Sequence, residues 1–157
     1  MTKVKSKYIE IHILKVVNGK LKFLLLKRSN NDRYPGIWQM VTGHIKKNEK
    51  AYGAAIRELK EETSLTPKSL YVVPIVNSLY LPEKDEINFV PVFVCEVESD
   101  TEVKISNEHS EFKWVSFNQA LKMVKWDGQK RALMIINENW GKDMSKFKKI
   151  SLRKLTE

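Results

Sequence analysis

Hydrophobic and polar positions along the chain fall into short blocks of two different periods. Residues 8–17 are rich in β-branched and aromatic side chains, and residues 21–27 are strongly apolar. Between them, Asn18-Gly19 is the pair that a type I′ turn favours, so the spacing predicts an antiparallel hairpin. Ser29, Asn30, Asn31 and Asp32, followed by Arg33-Tyr34-Pro35-Gly36, read as a loop, and residues 37–42 as a short strand ending at Gly43. The period then changes. Ala51, Ala54, Ala55, Ile56 and Leu59 have helical spacing, which predicts a helix capped by Asn48 or its neighbour and running to about Ser64. Residues 70–80 and 87–96 read as strands joined by the charged loop 82–86. Pro91 inside the second places it at a sheet edge or on a bulge. A strand over 112–115 and helices over 117–124 and 128–139 complete the series. This order predicts an α/β sandwich built on a mixed sheet.

Composition narrows the class. A chain of 157 residues with 42% hydrophobic and 10% aromatic content sustains one buried core, which argues against disorder. We expect a single domain over residues 1–157, with its core at about 8–140 and a basic tail at 141–157. No apolar run approaches the roughly 18–20 residues of a membrane span. The basic start through Lys7 is not followed by the apolar segment of a secretory leader. Cys95 is the one cysteine, which excludes an internal disulfide or a cysteine zinc site. Its apolar surroundings read as a buried strand, in keeping with a reducing, cytoplasmic setting. The net charge of +9 invites a nucleic-acid reading, but its distribution argues against one. Lys3, Lys5 and Lys7 carry three of the nine charges and residues 141–157 a net four, which leaves +2 for residues 8–140. The basicity sits in ends expected to be solvated and frayed.

The chemistry concentrates between Gly43 and Leu65. Glu58, Glu61 and Glu62 are spaced i, i+3, i+4, so one helix face carries all three carboxylates next to the apolar stripe of Ala55, Ile56 and Leu59. Like charges this close repel one another, and a hard divalent cation such as Mg²⁺, which takes oxygen ligands, relieves the repulsion. Such a cation also neutralises phosphate charge and lowers the pKa of an attacking water. A solvated face laced with Arg57 and Lys60 remains the alternative at this point.

The full string runs Gly43, five residues, Glu49, seven residues, Arg57-Glu58-Leu59, one residue, Glu61-Glu62, one residue, Ser64-Leu65. It resembles the signature of the Nudix hydrolases at every position except Ser64, where the family has Gly. The resemblance implies an α/β/α sandwich and a loop–helix–loop that binds Mg²⁺ or Mn²⁺ and hydrolyses a diphosphate linked to another group. It makes Glu58 and Glu62 the principal metal ligands, with Glu61 and the backbone carbonyl of Gly43 sharing the metals or their waters. Glu49 and Arg57 become a pair that orients the helix carboxylates. The family Gly suits a left-handed helix terminus, so Ser64 is expected to cost about 1 kcal/mol with the chemistry intact.

Trp38-Gln39-Met40-Val41-Thr42-Gly43, Glu108-His109 and Phe112-Lys113-Trp114-Val115 are similar to the dihydroneopterin triphosphate and dNTP pyrophosphatase branch. That resemblance makes Glu108 a further metal-site carboxylate, and Glu61 and Glu108 stand as alternatives for taking the proton from water. Arg28, ahead of Lys27, is the candidate for the distal phosphates, and Trp38 for stacking on a base or pterin. Trp114 and Trp126 are expected to pack in the core, His12 to be structural, and His44 and His109 to be isolated and not ligands. The expected partner is a small di- or triphosphate, with neither a membrane nor a nucleic acid. A dinucleoside polyphosphate or RNA 5′-end hydrolase is the alternative enzyme, disfavoured because Val41-Thr42-Gly43 replaces Pro-Lys-Gly. A non-catalytic basic binding module is the alternative from another class.

Overall fold

The computed structural model describes residues 1–31 and 33–155. Asp32, counted in the loop expected after the hairpin, and Glu157, counted in the basic tail, lie outside them. Described strands are β1 (Lys3–Lys5), β2 (Tyr8–Val17), β3 (Lys20–Arg28), β4 (Trp38–Gln39), β5 (Val41–His44), β6 (Ser69–Leu81), β7 (Glu86–Glu96), β8 (His109–Val115) and β9 (Lys148–Ile150). They form one sheet ordered β4-β3-β2-β7-β6-β9, with β5 on β2, β1 on β7 and β8 on β3. β1 and β2 run parallel to β7 while the other pairs are antiparallel, so the sheet is mixed as expected. Helix α1 (Ala51–Thr63) covers one face; α2 (Phe117–Met123) and α3 (Asp127–Asn139) cover the other.

Strand alternation divides the core in two. Ile9, Ile11, Leu24, Leu26 and Phe93 pack with Ala54, Ala55 and Leu59 of α1. Phe23, Leu25, Val92 and Val94 pack with Ala120, Leu133 and Ile136 on the opposite side. Asn18 and Gly19 both have positive φ, 51° and 74°, which makes the two-residue turn between β2 and β3.

Three expectations are corrected, and of the two positions expected for Pro91 the bulge holds while the edge does not. The strand read over 37–42 divides: β4 pairs with β3 and β5 with β2, and Gly43 lies inside β5 instead of ending it. Pro91 stands in a central strand, not at an edge; the bulge between Val72 and Val76 of β6 lies beside it and breaks the ladder where proline lacks a donor. α1 starts after Asn48: its N-cap is Lys50, with no side-chain cap, and Asn48 occupies a left-handed turn at φ 64°. The basic ends are not frayed throughout. β1 pairs with Glu86–Asn88, β9 pairs with Leu70–Val72, and Ile150 and Leu152 pack against the α1-side core. Backbone edges pair whatever the side chains, so short lysine-rich strands carry no readable period. Among the described residues no helix is long and apolar enough to cross a membrane.

Candidate active site

Burial of Ala54, Ala55 and Leu59 fixes the rotation of α1 and turns its carboxylates toward β5 and the loop before β8. The three acids sit at different depths. Glu62 is buried, the Glu58 side chain is 12% exposed, and that of Glu61 is 51% exposed at the rim.

Arg57 is the hub of this face. Its Nε and one terminal nitrogen donate to the two oxygens of Glu49 at 2.8 and 3.0 Å, a bidentate fork. The same nitrogen donates to the His44 carbonyl at 2.8 Å, and the other donates to Glu58 at 2.8 Å and Glu61 at 3.2 Å. Glu49 also accepts the Lys46 backbone N–H at 2.8 Å, which closes the turn into α1. Arg57 and then this N–H hold the Glu49 carboxyl down to about 2, against some opposing desolvation, and Glu49 in turn raises the Arg57 guanidinium.

Gly43 is required by close approach. A Cβ built on it would stand 2.2 Å from Cδ of Glu58, so the Glu58 side chain lies flat against the β5 backbone. Burial pushes the Glu58 carboxyl up; Arg57 counters this, while Glu61 and Glu62 add to it. Glu62 accepts from Ser106 Oγ at 2.7 Å and from His109 Nδ1 at 2.9 Å. Burial raises its proton affinity, but bonds from His109 and Ser106, with a further side-chain bond to Glu108, outweigh that and lower it.

Glu108 is exposed in the turn just before β8, its N–H donating to Ser106 Oγ at 3.3 Å and its carbonyl accepting from the Ser29 N–H at 3.0 Å. Arg28 ends β3 opposite His109, past a bulge, and its Nε donates to the Arg33 carbonyl. Lys27 pairs with Glu111 at 3.1 Å. Trp38 is apart from this group. It packs half-buried on the α2 and α3 side, with Lys113 Nζ 5.1 Å from its ring centre. Trp114 packs against the α1-side core as expected. Trp126 does not: it is 40% exposed and edge-on to Tyr34. His109 is not isolated, since it is buried on Glu62. Its place beside Glu108 was the only sequence signal for it, and Ser106 had none.

Among the described residues no three His, Cys, Asp or Glu side chains converge on one metal-sized point, because Glu58 and Glu61 turn to Arg57 and Glu62 to His109. The donor set nonetheless fits a hard cation. It is all oxygen, it lies on one helix face against a glycine backbone, and the raised Glu58 beside two like charges is what a divalent cation would relieve.

Comparison with known proteins bears on this arrangement. The NUDIX domain family matches residues 8–134. The chain is 30% identical over 115 residues to the asymmetrical bis(5′-nucleosyl)-tetraphosphatase of Caenorhabditis elegans, which covers 73% of this chain and 81% of that protein. It is 30% identical over 125 residues to the dihydroneopterin triphosphate diphosphatase of Haemophilus influenzae, covering 71% and 76%. Its fold superposes on a C. elegans Ap4A hydrolase binary complex with a TM-score of 0.70 at 27% identity, over 86% of this chain and 96% of that one. The chain therefore belongs to the Nudix hydrolase family, pyrophosphohydrolases that act on phosphoric anhydride bonds.

Proposed function

We propose that this Nudix hydrolase, a cytoplasmic enzyme with one domain over residues 1–157, cleaves a nucleoside triphosphate or dihydroneopterin triphosphate to the monophosphate and pyrophosphate. What supports the reading is the Arg57-centred set of acids on α1, together with similarity to a dihydroneopterin triphosphate diphosphatase. In this reading Glu58 and Glu62 hold Mg²⁺ or Mn²⁺, with Glu61, Glu108 and the Gly43 carbonyl sharing the cation or its waters. The bound cation neutralises phosphate charge. Glu49 holds Arg57, and Arg57 holds Glu58 and Glu61 in orientation. Water adds to phosphorus, the anhydride oxygen leaves with pyrophosphate, and Glu61 or Glu108 takes the proton. Arg28 offsets charge on the distal phosphates, and Trp38 stacks on the ring. Acceleration then comes mainly from positioning and electrostatics.

Similarity to the tetraphosphatase favours a second reading, hydrolysis of a dinucleoside polyphosphate, and gives it equal support. A panel of dihydroneopterin triphosphate, the dNTPs and dinucleoside polyphosphates, ranked by kcat/KM with Mg²⁺, separates the two. In either reading Glu62→Gln is expected to lower kcat by about 10³-fold. Near-wild-type hydrolysis by that variant at saturating Mg²⁺ would overturn the metal assignment.

A further inference from the structure

The sheet face opposite α1 carries a second set of buried polar groups that the proposed chemistry leaves unused. Glu10 and His12 alternate with Ile9, Ile11 and Ile13 on β2, so they point away from α1, and they are 4% and 0% exposed. His12 Nε2–H donates to Glu10 Oε2 at 2.7 Å. That is the one side-chain bond Glu10 makes among the described residues, so its Oε1 has no partner there. On the same face of β7, fully buried Asn88 has neither amide atom bonded. On α3, Gln129 heads the buried stripe that continues through Ala132, Leu133 and Ile136 with its Oε1 unbonded. The first turn of α3 lies over this end of the sheet. A Cβ on Gly128 would stand 2.6 Å from Oδ1 of Asn77, and Asn77 pairs with Val90, two residues from the Glu10 partner Val92.

Three amide atoms left without partners on the surfaces that enclose this face, two on Asn88 and one on Gln129, are costly, and Glu10 Oε1 beside them is free to accept. The position relative to the acids of α1 is specific. Glu10 pairs with Thr42 on β5, and the next residue, Gly43, is the one against Glu58 on the opposite face. β5 pairs only with β2 among the described strands, so its outer edge is open between the two faces. A molecule with its phosphates at α1 and a planar ring under α3 passes round that edge, beside the rings of Tyr8 and His44, tilted at 59° with centres 4.7 Å apart.

We propose that Glu10, oriented by His12, is a specificity-determining residue that reads a ring N–H flanked by an exocyclic amine, the edge shared by guanine and pterin. The inference rests on the pyrophosphohydrolase reading and names the ring that reading leaves open. A carboxylate accepts two parallel N–H bonds and donates none. Guanine and pterin offer two adjacent donors. Hypoxanthine offers one. Adenine and cytosine set a ring acceptor lone pair against the carboxylate, which repels it.

The test measures metal-free binding of GMP, IMP, AMP and neopterin to the wild-type chain by calorimetry, so it depends on neither turnover nor any substitution. GMP or neopterin is expected to bind at least tenfold more tightly than IMP and AMP. In a folded Glu10→Gln chain that preference is expected to fall to within about threefold. Equal affinities in the wild type, no binding of any ring, or an undiminished preference in Glu10→Gln overturns the proposal. Selective GMP or neopterin binding by a chain that hydrolyses no triphosphate would keep this inference while refuting the proposed reaction.

Discussion

Two buried glutamates, each bonded to a buried histidine, lie on opposite faces of one sheet, and they differ in everything else around them. Glu62 on α1 has His109 at 2.9 Å, Ser106 at 2.7 Å and two further acids on its own helix face. Glu10 on β2 has His12 at 2.7 Å and no other side-chain partner among the described residues. Each histidine leaves its second ring nitrogen unbonded, Nε2 in His109 and Nδ1 in His12. The same pair of residue types thus serves two ends. Where several donors converge, the carboxylate is held ionised, as the proposed cation site requires; where one donor holds one oxygen, the other stays available for the proposed ligand with N–H groups.

Exchanging the histidines tests the contrast most strongly. His109 acts through Glu62, so His109→Gln is expected to lower kcat by about tenfold to a hundredfold and to shift the Mg²⁺ titration to higher concentration, with guanine-over-hypoxanthine selectivity preserved. His12→Gln is expected to do the reverse, eroding that selectivity while the Mg²⁺ titration stays put. Identical profiles for the two variants would abolish the distinction between the faces.

Most of the first face was legible in the sequence, and little of the second. Glu58, Glu61 and Glu62 declare themselves by helical spacing, and Glu49, Arg57 and Gly43 by their fixed separations from them, because a helix and its entry turn are local objects. His109 and Ser106 reach Glu62 from 47 and 44 residues away, through strand pairing that no local period encodes. Glu10 and His12 read as ordinary alternating strand residues, and only the pairing of β2 with β5 puts Glu10 one residue from the Gly43–Glu58 contact. Likewise, Asn18-Gly19 fixes its turn through backbone conformation that is written in two letters. The short strands at the basic ends form because an edge was there to pair with.

A smaller effect isolates how the α1 face is held together. Glu49 has its carboxyl at about 2 when folded, below the usual carboxylate range near 4.5, because of the Arg57 fork. The stabilisation this provides is complete above the unfolded value and is lost as pH falls toward the folded one. Urea unfolding should therefore find wild type more stable than Glu49→Gln by about 1–2 kcal/mol at pH 6, with the gap closing between about pH 4.5 and pH 2. A gap that did not narrow with acid would mean that Glu49 contributes by packing, and that the ion-pair origin of the α1 network is wrong.

The smallest expected change concerns Ser64, where the chain departs from the family Gly. Ser64 sits at φ 62°, its N–H donating to the Lys60 carbonyl at 2.9 Å, so the left-handed terminus that glycine favours is made here by a residue with a Cβ. Beside it the end of α1 is joined to the segment that leads to His109: Lys104 N–H donates to the Thr63 carbonyl at 2.9 Å and Ser106 N–H to the Glu62 carbonyl at 3.3 Å. Relief of the backbone strain in Ser64→Gly should raise stability by about 0.5–1 kcal/mol, or roughly 2–4 °C per kcal/mol in Tm, with kcat unchanged. The opposing term is the bond from Ser64 Oγ to the Lys104 carbonyl, long at 3.4 Å and open to water. If Ser64→Gly lowered both Tm and kcat, that weak bond would outweigh the strain, and the support of Glu62 by Ser106 and His109 would depend on a side chain at the helix end as well as on the backbone pairing.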